Sequence, residues 1–137
     1  MRYIILRRAA LGIIAILAVI LLVGACGSAS GQSNGSPTEV QLTLSEFKIE
    51  SPQITFTTGT PYRFVIKNEG TIPHNWAIMP RGETDESQAL INVGEDQLPP
   101  GATVTREFTF TQTGDFEFAC HLPGHYEAGM LLPITVQ

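Results

Sequence analysis

One stretch near the end of the sequence combines three side chains that bind soft metal ions. Cys120, His125 and Met130 follow the spacing C-x4-H-x4-M, with glycines and a proline between them that let the backbone fold back on itself. Thiolate and thioether sulfur favour Cu(I), and imidazole suits both copper oxidation states. The spacing therefore predicts a copper site in which Met130 is a weak axial ligand.

A second histidine has to come from elsewhere in the chain. His74, in the run Thr71-Ile72-Pro73-His74-Asn75-Trp76, is the best candidate, and we expect it to reach the loop from a distant strand across the fold. Two fixed attachment points would hold a geometry that changes little when the charge of the copper changes, as fast one-electron transfer requires. Asn75 is expected to lock the loop or to offer its backbone N–H to the sulfur, and an ordinary turn role is its alternative.

Strand parity separates the ligands from their neighbours. Alternation from Phe116 to Cys120 places the cysteine on the buried face with two phenylalanines, and it turns His121 to the other face. An uncompensated thiolate on the buried face is costly, and a bound cation removes that cost. We expect His121 to be exposed and not a ligand, with an accessory surface metal site as the alternative. Met79 has the opposite parity to His74 and is expected to be packing.

Short alternating strands separated by Gly and Pro turns fill the chain from Thr38 onward. Seven or so such strands in about a hundred residues predict an all-β, antiparallel β-sandwich that forms one domain, residues 38–137. The polar segment from Arg81 to Gln97 is expected to be a long loop with at most one helical turn.

The beginning of the chain has the features of a bacterial export signal. Three arginines precede an apolar run, residues 9–23, which is followed by Gly24-Ala25-Cys26. We expect residues 1–25 to be a signal peptide of the lipoprotein type, Cys26 to carry the lipid anchor and residues 26–37 to be a flexible linker. An uncleaved membrane anchor is the alternative, and both place the domain outside the cytoplasm, tethered to the membrane.

Charge and cysteine content limit the partners and the chemistry. Five basic and thirteen acidic residues follow Cys26, so this part has a formal charge of −8, against −5 for the whole chain. Such a field opposes nucleic acid and favours a basic partner. If Cys26 is acylated, Cys120 has no cysteine to pair with, and metal ligation gives it a use. An inert buried thiol is the alternative.

These residues resemble those of the cupredoxins, which are small type 1 blue copper proteins, and most closely the auracyanin-like, membrane-tethered members. The strand that ends at Cys120, the run Pro123–Met130 and His74-Asn75-Trp76 carry the resemblance, which covers about residues 38–137. It implies an eight-stranded Greek-key sandwich and electron transfer outside the cytoplasmic membrane. One type 1 copper ion would be bound by His74, Cys120, His125 and Met130. His121 and the run Leu131-Leu132-Pro133 depart from the family pattern.

The expected function is therefore that of a monomeric electron carrier and not of an enzyme. Its partners would be membrane-bound or soluble redox proteins of an electron-transport chain. An apolar rim around His125 is expected to be the docking surface, formed by Leu122, Pro123, Tyr126 and Leu131. The main alternative is a module that delivers or stores copper for a copper oxidase. Three histidines are too few for a multicopper enzyme, and a binuclear copper centre needs a second cysteine in the loop. A plain sandwich without metal is the remaining alternative.

Overall fold

Two β-sheets that share one buried core make up the part of the chain that the computed structural model describes, residues 35–137. The strands are β1 (Thr38–Ser45), β2 (Lys48–Glu50), β3 (Thr55–Phe56), β4 (Pro61–Asn68), β5 (Trp76–Pro80), β6 (Ile91–Val93), β7 (Thr103–Thr109), β8 (Gly114–Ala119) and β9 (Leu131–Val136). Two short 3-10 turns, Glu86–Gln88 and Glu95–Gln97, flank β6. The prediction of an all-β sandwich is confirmed.

The signal peptide, Cys26 and most of the linker lie outside the described residues, so their assignment stays a prediction. Within residues 35–137, no helix has the length and apolar character that crossing a membrane requires.

The strand order shows that the chain crosses between the sheets. One sheet has the order β2-β1-β4-β7 and the other the order β3-β9-β8-β5-β6. Two of the seven pairings, β1 with β4 and β3 with β9, are parallel, whereas the sequence predicts antiparallel pairing throughout. The chain leaves the first sheet after β2, joins the second as β3 and returns as β4, so β4 runs in the same direction as β1.

Residues 35–137 form nine strands, whereas the alternation predicts about seven and the family resemblance implies eight. One expected strand is divided by Ser51-Pro52 into β2 and β3. The other addition is β6, which lies in the segment predicted to be a loop and pairs with β5 at the sheet edge. A three-residue strand in a polar segment has too few positions to show a period.

The shared core follows the predicted alternation. Val40, Leu42 and Leu44 of β1 are buried, as are the inward residues of β4. Phe56 lies at the centre, fully buried, with four aromatic rings at centroid distances of 5.0–5.8 Å: Tyr62, Phe64, Phe110 and Phe118. This aromatic core fixes how the two sheets pack and therefore where their strand ends lie.

The second sheet is covered on both faces at β5 and β8. A smaller cluster of Ala77, Met79 and Ala119 lies on its outer face, beneath Ala89, Tyr126 and Leu131. Antiparallel pairing of β5 with β8, in a register that aligns Ala77 with Ala119, places the beginning of β5 beside the end of β8. The segments that precede β5 and follow β8 therefore meet at one end of the sheet.

Candidate metal centre

Cys120 lies immediately after β8, on the face that the parity predicts. Its side chain is fully buried in the shared core. Its backbone N–H donates to the carbonyl of Met130 at 3.0 Å, so the two ends of the loop between β8 and β9 are joined.

The loop that follows is closed by its own backbone. The N–H of Met130 donates to the carbonyl of His125 at 3.0 Å, and the N–H of His125 donates to the carbonyl of Leu122 at 2.9 Å. Gly129 has φ of +95°, in the region that favours glycine, and this residue turns the chain back into Met130. The loop therefore holds its shape through hydrogen bonds that need no ligand.

His74 reaches the same place from the neighbouring strand of the same sheet, and not from across the fold. The prediction of its origin is wrong because β5 pairs directly with β8. His74 also lies two residues before β5 begins, in an irregular segment, and its backbone N–H donates to the carbonyl of Leu98 at 3.2 Å. Its side chain is fully buried.

Three metal-binding atoms converge at this end of the sheet. Nδ1 of His125 lies 3.3 Å from Nδ1 of His74 and 3.4 Å from Sγ of Cys120. All three ligand atoms lie within 4.8 Å of one another, and all three side chains are buried. Nε2 of His74 has no hydrogen-bond partner within the described residues, so the polar contacts of this ring are those directed at the cluster.

The two distances from His125 fit donors that bind a single metal ion. Nitrogen and sulfur ligands bind metals such as zinc at about 2.0–2.3 Å, so two donors on one ion lie at most about 4.6 Å apart. The contacts of 3.3 Å and 3.4 Å satisfy this limit. One thiolate with two imidazoles is a ligand set typical of a copper site.

Burial sets the protonation states in a way that favours a cation. Burial lowers the pKa of His74, the nearby His125 lowers it further, and the more distant Glu46 carboxylate acts in the opposite direction. His74 is therefore neutral, as a metal ligand must be. Burial raises the pKa of the Cys120 thiol, and the backbone N–H groups of Leu122 and Asn75 act against that rise. A bound metal ion would compensate the buried thiolate by displacing the proton.

The two methionines occupy different clusters. Met130 is fully buried in the shared core with Cys120, and its backbone bonds directly to both Cys120 and His125. Met79 is buried in the smaller cluster on the outer face of the second sheet. Of the two thioethers, Met130 is therefore the one that shares the cluster of the three converging side chains.

Asn75 connects the two segments that carry the metal-binding side chains. Its side-chain Oδ1 accepts a hydrogen bond of 2.7 Å from the backbone N–H of His121, and the residue is 5% exposed. The backbone N–H of Asn75 also acts against the rise that burial causes in the pKa of the Cys120 thiol. The side chain of Asn75 therefore fixes the beginning of the loop, which is one of the two roles that the sequence predicts.

His121 is not the exposed residue that the parity predicts. Its side chain is half-buried, and its ring stacks on that of Tyr126 at a centroid distance of 4.7 Å and an interplanar angle of 18°. The prediction is wrong because this face of the sheet is covered. In residues 35–137, the one group of metal-binding side chains does not include His121.

The four residues predicted to form the docking surface lie in two places. Leu122 is half-buried and Pro123 is exposed. Tyr126 and Leu131 pack on the smaller cluster of the second sheet. The hydroxyl of Tyr126 donates to the carboxylate of Glu117 at 2.7 Å, and this contact raises the pKa of Tyr126 to about 12.

Sequence reasoning missed three residues near the site. Glu117 is only 2% exposed, because Tyr126 and the covered outer face enclose it. Phe47 is 43% exposed, yet its ring lies edge-to-face with His125 at a centroid distance of 5.1 Å. Glu46, its neighbour, accepts hydrogen bonds from the segment that precedes His74. The alternation gives no signal for the last two, because they lie in the turn between β1 and β2.

Comparison with known proteins agrees with this geometry. The family model of the cupredoxin-like domain matches residues 13–132. A protein named copper-resistant cuproprotein CopI, from Rubrivivax gelatinosus, is 31% identical in an alignment of 108 positions, gaps included, that covers 72% of this chain and 66% of that relative. A protein of the same name from Pseudomonas aeruginosa is 26% identical in an alignment of 165 positions, gaps included, that covers 85% of this chain and 91% of the relative.

Among solved structures, a reduced auracyanin from Roseiflexus castenholzii superimposes with a TM-score of 0.60 and 25% identity. The match covers 75% of this chain and 99% of the auracyanin. The fold, the converging donors and the family match agree. The chain therefore belongs to the cupredoxin-like family, and its cofactor is one type 1 copper ion.

Proposed function

We propose that this chain is an electron carrier in which His74, Cys120, His125 and Met130 bind the copper ion. One observation supports the proposal most strongly. Three buried donor atoms converge beside a loop that its own backbone hydrogen bonds already close. When bound, copper supplies a one-electron couple between Cu(I) and Cu(II). The protein holds the donors in place and excludes water, so little has to move when an electron arrives or leaves.

We propose different roles for the two sulfur ligands: the thiolate mainly binds the copper, and the weak thioether mainly tunes its reduction potential. Cys120 supplies the negative charge, and the N–H groups of Leu122 and Asn75 stabilise it. Met130 would hold the ion as its weakest donor, because it is buried in the same cluster and its backbone is fixed to both neighbouring ligand residues. Hydrogen bonds to the sulfur and the axial ligand are the features that tune such a site.

A second candidate function is copper delivery or storage. The two relatives named as copper-resistant cuproproteins favour it, since resistance can rest on metal sequestration. A delivery site has to release its ion, whereas an electron carrier retains copper in both oxidation states. The buried, preformed position of the donors in this chain supports retention.

Repeated redox cycling in the presence of a strong Cu(I) chelator separates the two functions. The copper-loaded protein would be reduced and reoxidised several times, and the bound copper would be measured after each cycle. Electron carriage predicts that the protein keeps its copper and regains its full visible absorption. Transfer of the ion to the chelator during the first reduction would favour delivery instead.

We propose that electrons leave through the apolar surface around His125. Leu122 and Pro123 belong to the loop itself, Phe47 contacts the imidazole, and Ile72 is 36% exposed two residues before His74. The formal charge of −8 after Cys26 supports a redox partner with a basic face. Such encounters are small and short-lived.

The electron self-exchange rate between two copies of the protein tests this surface. Ile72→Asp adds a charge beside the proposed exit, so it should slow self-exchange. Ile54→Asp is the matched control, because Ile54 is 52% exposed and bonds to Thr135, at the other end of β9 from the loop. Equal rates in the two variants would remove this surface from the proposal.

We further propose that the protein acts outside the cytoplasm, held at the membrane by Cys26. The basic start, the apolar run and the cysteine after Gly24-Ala25 support this. The mass of the mature chain from a bacterial host tests it. A chain that begins at Cys26 and carries acyl groups is expected, and an intact N-terminus would favour the uncleaved anchor.

A further inference from the structure

The turn between β1 and β2 carries two adjacent side chains that reach the two segments bearing the imidazoles. The carboxylate of Glu46 accepts hydrogen bonds from the backbone N–H groups of Thr71 and Ile72, the latter at 3.1 Å, and from the hydroxyl of Thr71 at 3.0 Å. All of these donors bond to one oxygen, Oε1. They lower the pKa of Glu46 to about 2, so the group stays ionised at any ordinary pH.

The segment that receives this carboxylate is shaped to fit it. A Cβ atom at Gly70 would lie only 2.7 Å from Oε1 of Glu46, so a larger residue there would displace the Glu46 side chain from its present position. From the other side, buried Asn68 accepts from the N–H of Gly70 and donates to the carbonyl of Ile72, both at 2.8 Å. Residues 70–72 are thus held between an interior amide and an exterior carboxylate, two positions before His74.

Phe47, the next residue in the turn, contacts the other imidazole. Its ring lies edge-to-face with that of His125, at a centroid distance of 5.1 Å and an interplanar angle of 85°. Phe47 is 43% exposed, so its ring is partly open to water on one side and contacts the imidazole on the other. The contact with His125 gives this exposed ring a role at the site.

We infer that the Glu46-Phe47 turn positions both imidazoles of the copper site, Glu46 through the segment before His74 and Phe47 through direct contact with His125. Neither residue binds the metal. Because the two are adjacent in the chain, a displacement of one segment is transmitted to the other ring. This inference rests on the proposed function, since it assigns a role relative to the proposed copper ligands.

Four variants test the two contacts, and two of them separate the hydrogen bonds of Glu46 from its charge. Glu46→Ala removes both, and Glu46→Gln removes the charge but keeps a carbonyl acceptor. Glu50→Ala is the matched control, because this exposed carboxylate in β2 bonds to Lys48 and not to the segment before His74. Phe47→Leu keeps an apolar side chain and removes the aromatic contact.

The first measurement uses the metal-free full-length protein and therefore does not depend on copper. Amide hydrogen exchange at Thr71 and Ile72 should accelerate by about tenfold or more in Glu46→Ala, much less in Glu46→Gln and not at all in Glu50→Ala. The ring-proton resonances of His74 should shift or broaden in Glu46→Ala. Those of His125 should do so in Phe47→Leu.

The second measurement uses the copper-loaded protein. Glu46→Ala should slow electron self-exchange relative to Glu46→Gln, which has lost the same charge, and Phe47→Leu should slow it relative to the wild type. Both Glu46→Ala and Phe47→Leu should alter the Cu(II) hyperfine splitting, and Glu50→Ala should leave it unchanged. The inference would be overturned if amide hydrogen exchange in Glu46→Ala were as slow as in the wild type and the histidine resonances of Glu46→Ala and Phe47→Leu were unchanged. A wild-type protein that binds no copper would overturn the proposed function, and the metal-free measurement would still decide whether the turn holds the rings.

Discussion

Replacement of Asn75 by alanine breaks the hydrogen bond that connects the two segments of the copper site. Oδ1 of Asn75 accepts from the N–H of His121 at 2.7 Å, and Asn75 is 5% exposed. Alanine leaves that N–H without its acceptor. An unsatisfied buried donor costs about 1–3 kcal/mol, which lowers the ratio of folded to unfolded protein by about 5- to 150-fold. The N–H of residue 75 itself remains, so its effect on the pKa of the Cys120 thiol is retained.

Urea denaturation of the metal-free protein measures this loss. With a denaturant slope of about 1–3 kcal/mol/M, the midpoint of Asn75→Ala should fall by about 1 M while the slope stays the same. Asn92→Ala is the control, since Asn92 is exposed and makes one long side-chain contact, with Glu86 at 3.4 Å. It should change the free energy of unfolding by less than about 0.5 kcal/mol. If Asn75→Ala is as stable as Asn92→Ala, the hydrogen bond does not hold the segments together.

Two further substitutions address the axial ligand and the tyrosine of the loop. Met130→Leu should keep copper bound while raising the reduction potential measured by voltammetry, because a donor to Cu(II) is lost; an unchanged or lower potential would contradict an axial role. The pKa of Tyr126, raised to about 12, means that the neutral phenol stabilises the fold below pH 10 and that this contribution is lost between pH 10 and 12. The free energy of unfolding of Tyr126→Phe should therefore decline less than that of the wild type over this interval, and parallel declines would contradict the role of the Glu117 contact.

Local patterns were sufficient to predict much of the site. Cys120, His125 and Met130 lie within eleven residues, and the parity of Phe116 and Phe118 determines on which face the thiol lies. Backbone hydrogen bonds within the loop close it, so its shape depends little on the rest of the chain. The sandwich was likewise predictable, because alternation over eight residues in β1 and β4 specifies one buried face for each strand.

Periodicity could not predict how the chain crosses between the two sheets or which residues cover the outer face of the second sheet. The parallel pairing of β1 with β4 follows from the path of the chain between the sheets, which no local pattern records. The same limitation hid the fact that His74 lies just before β5, the strand that pairs with β8. Periodicity assigned Glu117 and His121 to one face correctly, but it could not show that Tyr126 covers them there.

The roles of the exposed residues near the site were the hardest to predict from the sequence. Glu46 and Phe47 lie in a turn of two residues, where neither alternation nor turn chemistry indicates a contact with a segment more than twenty residues away. Their roles emerge only when the irregular segment before His74 is placed beside that turn. Side chains that connect loops are for this reason harder to predict than those that bind the metal.

Titration of the purified chain with Cu(II), followed by visible absorption, decides whether the four side chains bind copper as proposed. The predicted result is an intense charge-transfer band that grows in proportion to added copper, stops at one ion per chain and is absent in Cys120→Ser. A wild-type chain that stays colourless in excess cupric ion, or a band that persists in Cys120→Ser, would contradict the proposed site.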